Sequence, residues 1–306
     1  MKNYHTCSSV LFLIFNRPDT TALVFQQIRL AQPQRLYIAA DGPRPNKAGD
    51  AELCAQARSI IEKIDWECEV KTLFRDVNLG CKYNVSSAVS WFFEQEEEGI
   101  ILEDDCLPSK DFFRFCDELL IKYRNDTRVS QITGCNVQFG KKWGDASYYF
   151  SNNVEVWGWA SWRRVWKDYD VEMSRDLNID VQELIIRLYG SEVLASKFNE
   201  IFSELKANKI DTWDYQLKFL NFFENGLCVI PNVNLISNIG FRSDGTHTVT
   251  ENHPYANIPF EDLPEVLIEP TSFVPHKEAD LQTLNRDFGI KMSKVGFLKK
   301  ILRQFK

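Results

Sequence analysis

Residues 99–109 read GIILEDDCLPS, and this stretch decides the fold. Ile100-Ile101-Leu102 is an apolar run of strand length, yet it leads straight into Glu103, Asp104 and Asp105 before Cys106, Leu107 and Pro108. A buried strand that ends in carboxylates has a natural place in an open α/β sheet. That place is the rim beyond the carboxyl ends of parallel strands, where ligands bind. Period-2 alternation sends Glu103 and Asp105 to one side of the strand and Asp104 to the other.

The flanking segments fit that placement. Residues 9–15 are an apolar run broken by Arg17-Pro18, and Asp19-Thr20-Thr21 can cap a helix running to about Leu30. Residues 35–40, RLYIAA, form a second strand stopped by Asp41-Gly42-Pro43; a helix over about 50–64 and a third strand near 67–74 follow. Residues 84–96 read as helix and 100–102 as the fourth strand, with the acidic run 94–98 a solvated helix end. Short apolar strands alternating with helices predict an α/β chain, a mostly parallel central sheet with helices on both faces. The four strands then end in Asn16-Arg17, Asp41-Gly42, Arg75-Asp76 and Glu103-Asp104-Asp105, on one rim. Beyond Asp105 the pattern predicts a helix over 111–123, a strand over 129–136 and a helical aromatic stripe over 157–166. Helices follow within 181–207 and from about Asp211, strand-like runs occupy 227–241, and a loop rich in Gly, Ser, Thr, Asn and Pro begins at Arg242.

Composition narrows the functions. A net charge of −7 argues against a general nucleic-acid-binding surface. Eight cysteines without a CxxC pair or a Cys/His metal spacing read as free thiols of a reducing compartment, with a disulfide framework as the other reading. The apolar run 10–15 is too short for a membrane span and is not followed by a cleavage site, so the expected location is the cytoplasm.

Two or three carboxylates on one rim repel each other unless a cation or an array of donors sits among them. Their oxygens suit Mg²⁺ or Mn²⁺, and the lack of a His/Cys cluster disfavours zinc. Such a cation takes one or two protein carboxylates and leaves its other positions to phosphate and water, so a phosphorylated ligand is expected.

The segment ILEDDCLPSKDFF, residues 101–113, resembles the corresponding segment of N-acetylglucosaminyltransferase I and its relatives, which include bacterial hemolysin-like and polysaccharide-synthesis transferases. These are inverting, metal-dependent nucleotide-sugar transferases of the glycosyltransferase-A fold. IFNRPDTT, IAADGPR, WGWASWRRVW, TWDYQL and GFRSDGTHT are similar to further segments of the same family in the same order. The resemblance implies that Asp105 ligates the metal, that Asp104 holds the ribose and that Glu103 contacts the sugar hydroxyls. It makes Arg17 a nucleotide contact and Asp41 the acid that meets the base. Trp157 or Trp159 would wall the site, and Arg242 with His247 would fold over the diphosphate. Arg75 joins the donor-binding set by its place on the rim. Asp214 would be the catalytic base, with Asp211 its neighbouring competitor. Where the family has a second acid after this position the chain has Tyr215, so the donor is left open, UDP-N-acetylhexosamine being the first expectation.

The resemblance implies a catalytic region over 1–270, with 1–105 its nucleotide half and 106–270 its acceptor half, and an extension over 271–306. Residues 288–306 carry Lys291, Lys294, Lys299, Lys300, Arg303 and Lys306 but no acid, with Leu298, Ile301, Leu302 and Phe305 on one helical face. This basic amphipathic end reads as a membrane-surface contact suited to a lipid-linked oligosaccharide acceptor, or as a helix docked on its own domain. Two rival functions stand beside metal-dependent inverting glycosyl transfer in surface polysaccharide synthesis. One is a sugar-1-phosphate nucleotidyltransferase, which would need a Gly-rich, cationic loop after the first strand where this chain has NRPDTT. The other is a non-catalytic glycan-binding or toxin-associated protein on the same fold.

Overall fold

The computed structural model describes residues 4–174, 179–242 and 253–290. The chain begins as three strand–helix repeats and a fourth strand: β1 (Val10–Ile14), α1 (Pro18–Ala31), β2 (Arg35–Ala40), α2 (Asp50–Arg58), β3 (Glu69–Phe74), α3 (Gly80–Gln95) and β4 (Glu98–Glu103). Next come β5 (Cys106–Pro108), α4 (Phe112–Tyr123), β6 (Val129–Thr133), β7 (Tyr148–Ser151), β8 (Trp159–Trp162) and the one-turn α5 (Arg163–Trp166). A helical section, α6 (Val181–Tyr189), α7 (Glu192–Lys206) and α8 (Asp214–Phe223), precedes β9 (Leu227–Pro231), β10 (Ile236–Asn238) and α9 (Lys277–Asp287).

Eight strands form one sheet in the order β3-β2-β1-β4-β8-β6-β9-β7, and β5 pairs with β10 in a separate ribbon. β1 to β4 are mutually parallel and β6 pairs parallel with β9, while β7 and β8 run against their neighbours. This is the mostly parallel α/β sheet expected for the glycosyltransferase-A fold. Along β4, Ile100 and Leu102 join the core that contains Phe25 of α1 and Phe112 of α4, and Ile101 joins the core with Phe92 of α3 and Leu217 of α8. Helices therefore cover both faces, and the strand bodies have to be apolar. In β1, β2 and β4 the polar side chains come at or just beyond the strand ends.

The structure departs from the sequence reading in several places. Residues 157–166 are not a helical stripe: Trp159–Trp162 is a strand antiparallel to β4, with Ile101 opposite Trp159, and only the last four residues turn into α5. Gly158 precedes that strand at a φ of +61, and a Cβ there would lie 2.3 Å from Ile236 Cδ1. Glycine at this point breaks the helical reading and admits the close approach. The acidic run 94–98 is not uniformly solvated. Glu96 is buried, and its carboxylate accepts from Arg35 and from Tyr37 Oη at 2.7 Å. α3 also starts four residues earlier than expected, at Gly80, and β5 and β7 lie in stretches with no strand assignment from sequence.

None of the eight cysteines is disulfide-bonded. Among the described residues no helix is long and apolar enough to cross a membrane.

α9 closes the far edge of the sheet. His276 N donates to Phe150 O at 2.7 Å, and Asp280 accepts from Ser151 Oγ at 2.6 Å and Asn152 N at 3.0 Å. Burial outweighs these donors and pushes the Asp280 carboxyl up to about 6. A raised carboxyl pKa means that the folded state holds a proton the unfolded chain has released. Stability is therefore lost as pH rises from about 4 through about 6, by at most about 3 kcal/mol for this group. Urea unfolding of wild type and Asp280→Asn across that window checks this. The variant should gain on wild type as pH rises, whereas a constant difference would show that Asp280 titrates normally.

Candidate active site at the strand ends

β4 ends at Glu103, and Asp104-Asp105 form the turn that leads into β5. Because the strand stops there, alternation no longer governs Asp105, and the three carboxylates take different directions. Asp104 Oδ2 accepts from Phe15 N at 3.0 Å, just past β1. Asp105 is paired with Arg17 at 2.9 Å, where the chain enters α1. Glu103 lies in the field of Asp214 as well as of its two neighbours. Burial, then repulsion from Asp105, pushes the Asp104 carboxyl up to about 7. The same causes in the same order hold Glu103 well above the usual carboxylate range. Arg17 is the one cation among the described residues hydrogen-bonded to the triplet, so the rim keeps surplus negative charge.

Asp105 is also gripped from the other side. Ile239 N donates to its carbonyl at 2.8 Å. The chain then crosses directly beneath the carboxylate: a Cβ on Gly240 would sit 2.1 Å from Asp105 Oδ2. Asn238 Oδ1 fixes this crossing by accepting from Gly240 N at 2.9 Å. Sequence reading missed Asn238 and Gly240, which lie 130 residues and more downstream of the triplet. Their signals were the run SNIG closing an apolar stretch and, for Gly240, its place at the head of GFRSDGTHT, neither of which pointed to Asp105. Gly240→Ala should displace the Asp105 carboxylate and weaken metal-dependent nucleotide binding by about tenfold or more, with little change in unfolding midpoint. Unchanged binding would show that the crossing does not matter.

A divalent cation can be tested against this geometry. One Asp105 oxygen is held by Arg17, and the other accepts only from the Cys106 thiol at 3.5 Å among the described residues. One carboxylate oxygen is thus weakly engaged, in an acid-rich setting of hard donors, which suits Mg²⁺ or Mn²⁺. No group of three or more His, Cys, Asp or Glu side chains among the described residues could cage a metal. A cation here would draw most of its ligands from phosphate and water.

The rest of the rim is organised by hydrogen bonds. Asp41 is buried and its carboxylate takes four donors: Gly42 N and Leu79 N at 2.8 Å, Asn78 Nδ2 at 2.9 Å and Gly80 N at 3.1 Å. Its acceptor capacity is engaged in joining the ends of β2 and β3, so direct contact with a base gives way to a loop-holding role. Asn16 reaches Asp50 at 2.6 Å, Asp50 also accepts from Arg44, and the Arg44 guanidinium lies 5.3 Å from the Phe15 ring. Those hydrogen bonds hold Asp50 down to about 2. Arg75 donates to Ser87 Oγ at 2.8 Å, and its buried Nε has no protein partner.

Asp214 is the first residue of α8, accepts from Thr212 Oγ1, and adds to the negative field at Glu103. It therefore borders the rim from a different element. Asp211 instead accepts from Lys82 N at 3.0 Å in the first turn of α3. Trp159 must be corrected as a site wall: it is 1% exposed and stacks on Trp213 with ring centroids 5.8 Å apart. It is core, and it steadies the residue that precedes Asp214. Trp157 is half-buried beside Phe241, centroids 5.6 Å apart, and remains available as a wall. Arg242 is ion-paired with Asp19 of α1, which brings the start of the 242 loop to the rim. His247 lies outside the described residues, as do residues 291–306 of the basic tail.

No family model matches the sequence, and no curated protein does. Solved structures share part of the fold. The inositol-1-phosphate CTP transferase from T. maritima is 6% identical, covering 74% of this chain and 86% of its own at a TM-score of 0.40. An apo UDP-glucose pyrophosphorylase is 9% identical, covering 75% and 93% at 0.38. A 4-diphosphocytidyl-2C-methyl-D-erythritol synthase from Anaerococcus prevotii is 8% identical, covering 71% and 99% at 0.33. Likenesses this low carry no argument about activity.

Proposed function

We propose that the chain transfers a sugar, with inversion, from a nucleoside diphosphate donor to a hydroxyl of a glycan or lipid-linked acceptor, using Mn²⁺ or Mg²⁺ held at Asp105. The observation that carries this reading is the pairing of two acidic centres on one rim. One is the triplet at the end of β4, and the other is Asp214 at the head of α8, electrostatically coupled to Glu103. Bound at Asp105, the cation would offset charge developing on the departing diphosphate. Arg17 and Arg75 supply further positive charge beside it. Asp104 and Glu103 face the ribose and sugar hydroxyls, Trp157 offers a ring face, and Arg242 with His247 completes the diphosphate side. Asp214 takes the proton of the acceptor hydroxyl as it attacks. The basic segment 288–306 would bring the enzyme to a membrane surface carrying a lipid-linked acceptor.

The solved enzymes named above transfer nucleotidyl groups, and that is the reading to separate. Such chemistry needs a cradle of backbone N–H groups and a cation for a triphosphate. Between Ile14 and the start of α1 at Pro18 this chain has only Phe15-Asn16-Arg17, with no glycine. That connection is too short for a wrapping loop and favours sugar transfer.

Calorimetric titration with UDP, with and without Mn²⁺, followed by a screen of nucleotide sugars, tests the proposal. Metal-dependent UDP binding and UDP release from a nucleotide sugar are expected. Pyrophosphate release from UTP and a sugar 1-phosphate would replace it with nucleotidyl transfer. No metal-dependent binding would leave a non-catalytic glycan-binding protein.

A further inference from the structure

The chain closes a circuit of contacts around a polar recess just beyond Asp214. Trp213, which precedes Asp214, stacks on Trp159 with ring centroids 5.8 Å apart. Two residues before Trp159, the Trp157 ring meets Tyr255 edge-on at 6.1 Å. Tyr255 Oη donates to Asp287 Oδ1 of α9 at 2.5 Å. Leu284 of α9 and the following Phe288 share an apolar cluster with Tyr215 and Phe219 of α8, which completes the circuit. Trp157 also meets Phe241 at 5.6 Å, and Phe241 follows the glycine that crosses beneath Asp105. Aromatic rings therefore connect the metal rim to the recess.

Two opposite charges inside the circuit are left unspent. Lys218 lies on the same face of α8 as Asp214, about 6 Å further along the helix. Glu155 enters from the segment between β7 and β8, and Asn153 Nδ2 donates to its Oε1 at 2.8 Å. Both residues are half-buried, and Lys218 Nζ and Glu155 Oε2 are accessible. Among the described residues neither atom makes a hydrogen bond, and the two do not form an ion pair. Their fields nevertheless overlap. Burial lowers the Lys218 pKa, yet Glu155 and then Asp287 outweigh it and hold the ammonium above its usual range. Burial pushes the Glu155 carboxyl up to about 7 against the pull of Lys218.

An ammonium and a carboxylate held apart in a partly desolvated recess are each short of a partner. A sugar hydroxyl fits between them, because it accepts from the ammonium and donates to the carboxylate. Trp157 and Tyr255 offer broad apolar surfaces to the C–H face of the same ring. Charge narrows the ligand further. Asp214, Asp280 and Asp287 all add negative field at Glu155, against Lys218. Arg286, the other cation here, donates to Val137 O at 2.5 Å and lies 4.5 Å from the Phe139 ring centroid. Acids outnumber cations, so an anionic ligand is disfavoured.

Resting on the sugar transfer proposed above, we infer that this recess binds the acceptor, a neutral oligosaccharide. Its reacting hydroxyl lies at Asp214, and its next sugar residue sits between Lys218 and Glu155. The acceptor class is then a saccharide of two or more residues, selected through the second one.

The test uses the full chain with Mn²⁺ and UDP and three neutral pairs of probes: glucose and cellobiose, galactose and lactose, N-acetylglucosamine and its chitobiose dimer. The hyaluronan disaccharide serves as the anionic probe. Binding is read from the indole N–H resonance of Trp157, assigned with Trp157→Phe, and from a crystal soaked with the preferred disaccharide. At least one disaccharide should bind about tenfold or more tighter than its monosaccharide, the worth of a hydrogen bond to a charged group. Lys218→Met and Glu155→Gln should each erase that preference, and the hyaluronan disaccharide should not bind. No preference for any disaccharide, a preference that survives in either folded variant, or equal binding of the anionic probe would overturn the inference. So would a soaked crystal with only ordered water between Lys218 and Glu155. Should the variants fail to fold, the wild-type comparison and the crystal still decide. Metal-dependent UDP binding is recorded on the same samples. Its absence removes sugar transfer itself, whereas its presence without a disaccharide preference removes the acceptor recess alone.

Discussion

Asp105→Ala should abolish UDP release from a nucleotide sugar and transfer to an acceptor, lowering turnover by on the order of 10³-fold or more. Among the described residues Arg17 holds one Asp105 oxygen and only the Cys106 thiol approaches the other. Truncation removes that oxygen and leaves Arg17 without its partner. Calorimetry with UDP should then show the same weak binding with and without Mn²⁺. A second readout separates lost chemistry from lost fold. After burial, Asp105 is the largest contributor to the raised pKa values of Glu103 and Asp104, so removing its charge should bring both carboxyls down. Asp105→Asn keeps an oxygen for Arg17 and should unfold at a midpoint close to wild type while remaining inactive. Near-normal turnover in a folded variant would sink the metal assignment.

Much of the fold was legible over residues 9–105 because two signals agree there. Apolar runs of strand length end abruptly in polar residues, and helical segments separate them. A parallel sheet demands that arrangement, since its strands are buried on both faces and open only at the ends. The later half was harder because its strands do not follow that rule. Trp159–Trp162 shows the difficulty: tryptophans spaced for a helix face instead belong to a strand and the turn after it, a pattern that periodicity alone cannot assign. Charge patterning misled in a similar way at Glu96, because a run of acids gives no hint that Arg35 and Tyr37, 61 and 59 residues upstream, bury one of them. At the site itself, the triplet and Asp214 were visible as residue types in context. The close crossing at Gly240 and the four donors around Asp41 depend on tertiary approach, and local sequence holds no trace of either.

The second large effect concerns Asp214, where one substitution separates three mechanisms. Asp214→Asn keeps the size of the side chain and its place at the head of α8, but it cannot accept a proton. If Asp214 is the base, transfer to a hydroxyl acceptor should fall by about 10²- to 10⁴-fold while metal-dependent UDP binding is retained. The prediction rests on position: Asp214 is near enough to Glu103 to raise its pKa, yet belongs to α8 and not to the turn that carries Asp105. Nucleotidyl transfer gives a different result. Its nucleophile, a sugar 1-phosphate, is already an anion and has no proton to lose, so the same variant would turn over near normally. If sugar transfer is observed and also survives, the base is elsewhere, and Asp211 is next in line. Its carboxylate is held by Lys82 N in the first turn of α3, so it would have to leave that contact to act. Asp211→Asn would then lose transfer and destabilise α3 together, whereas Asp214→Asn should separate activity from stability.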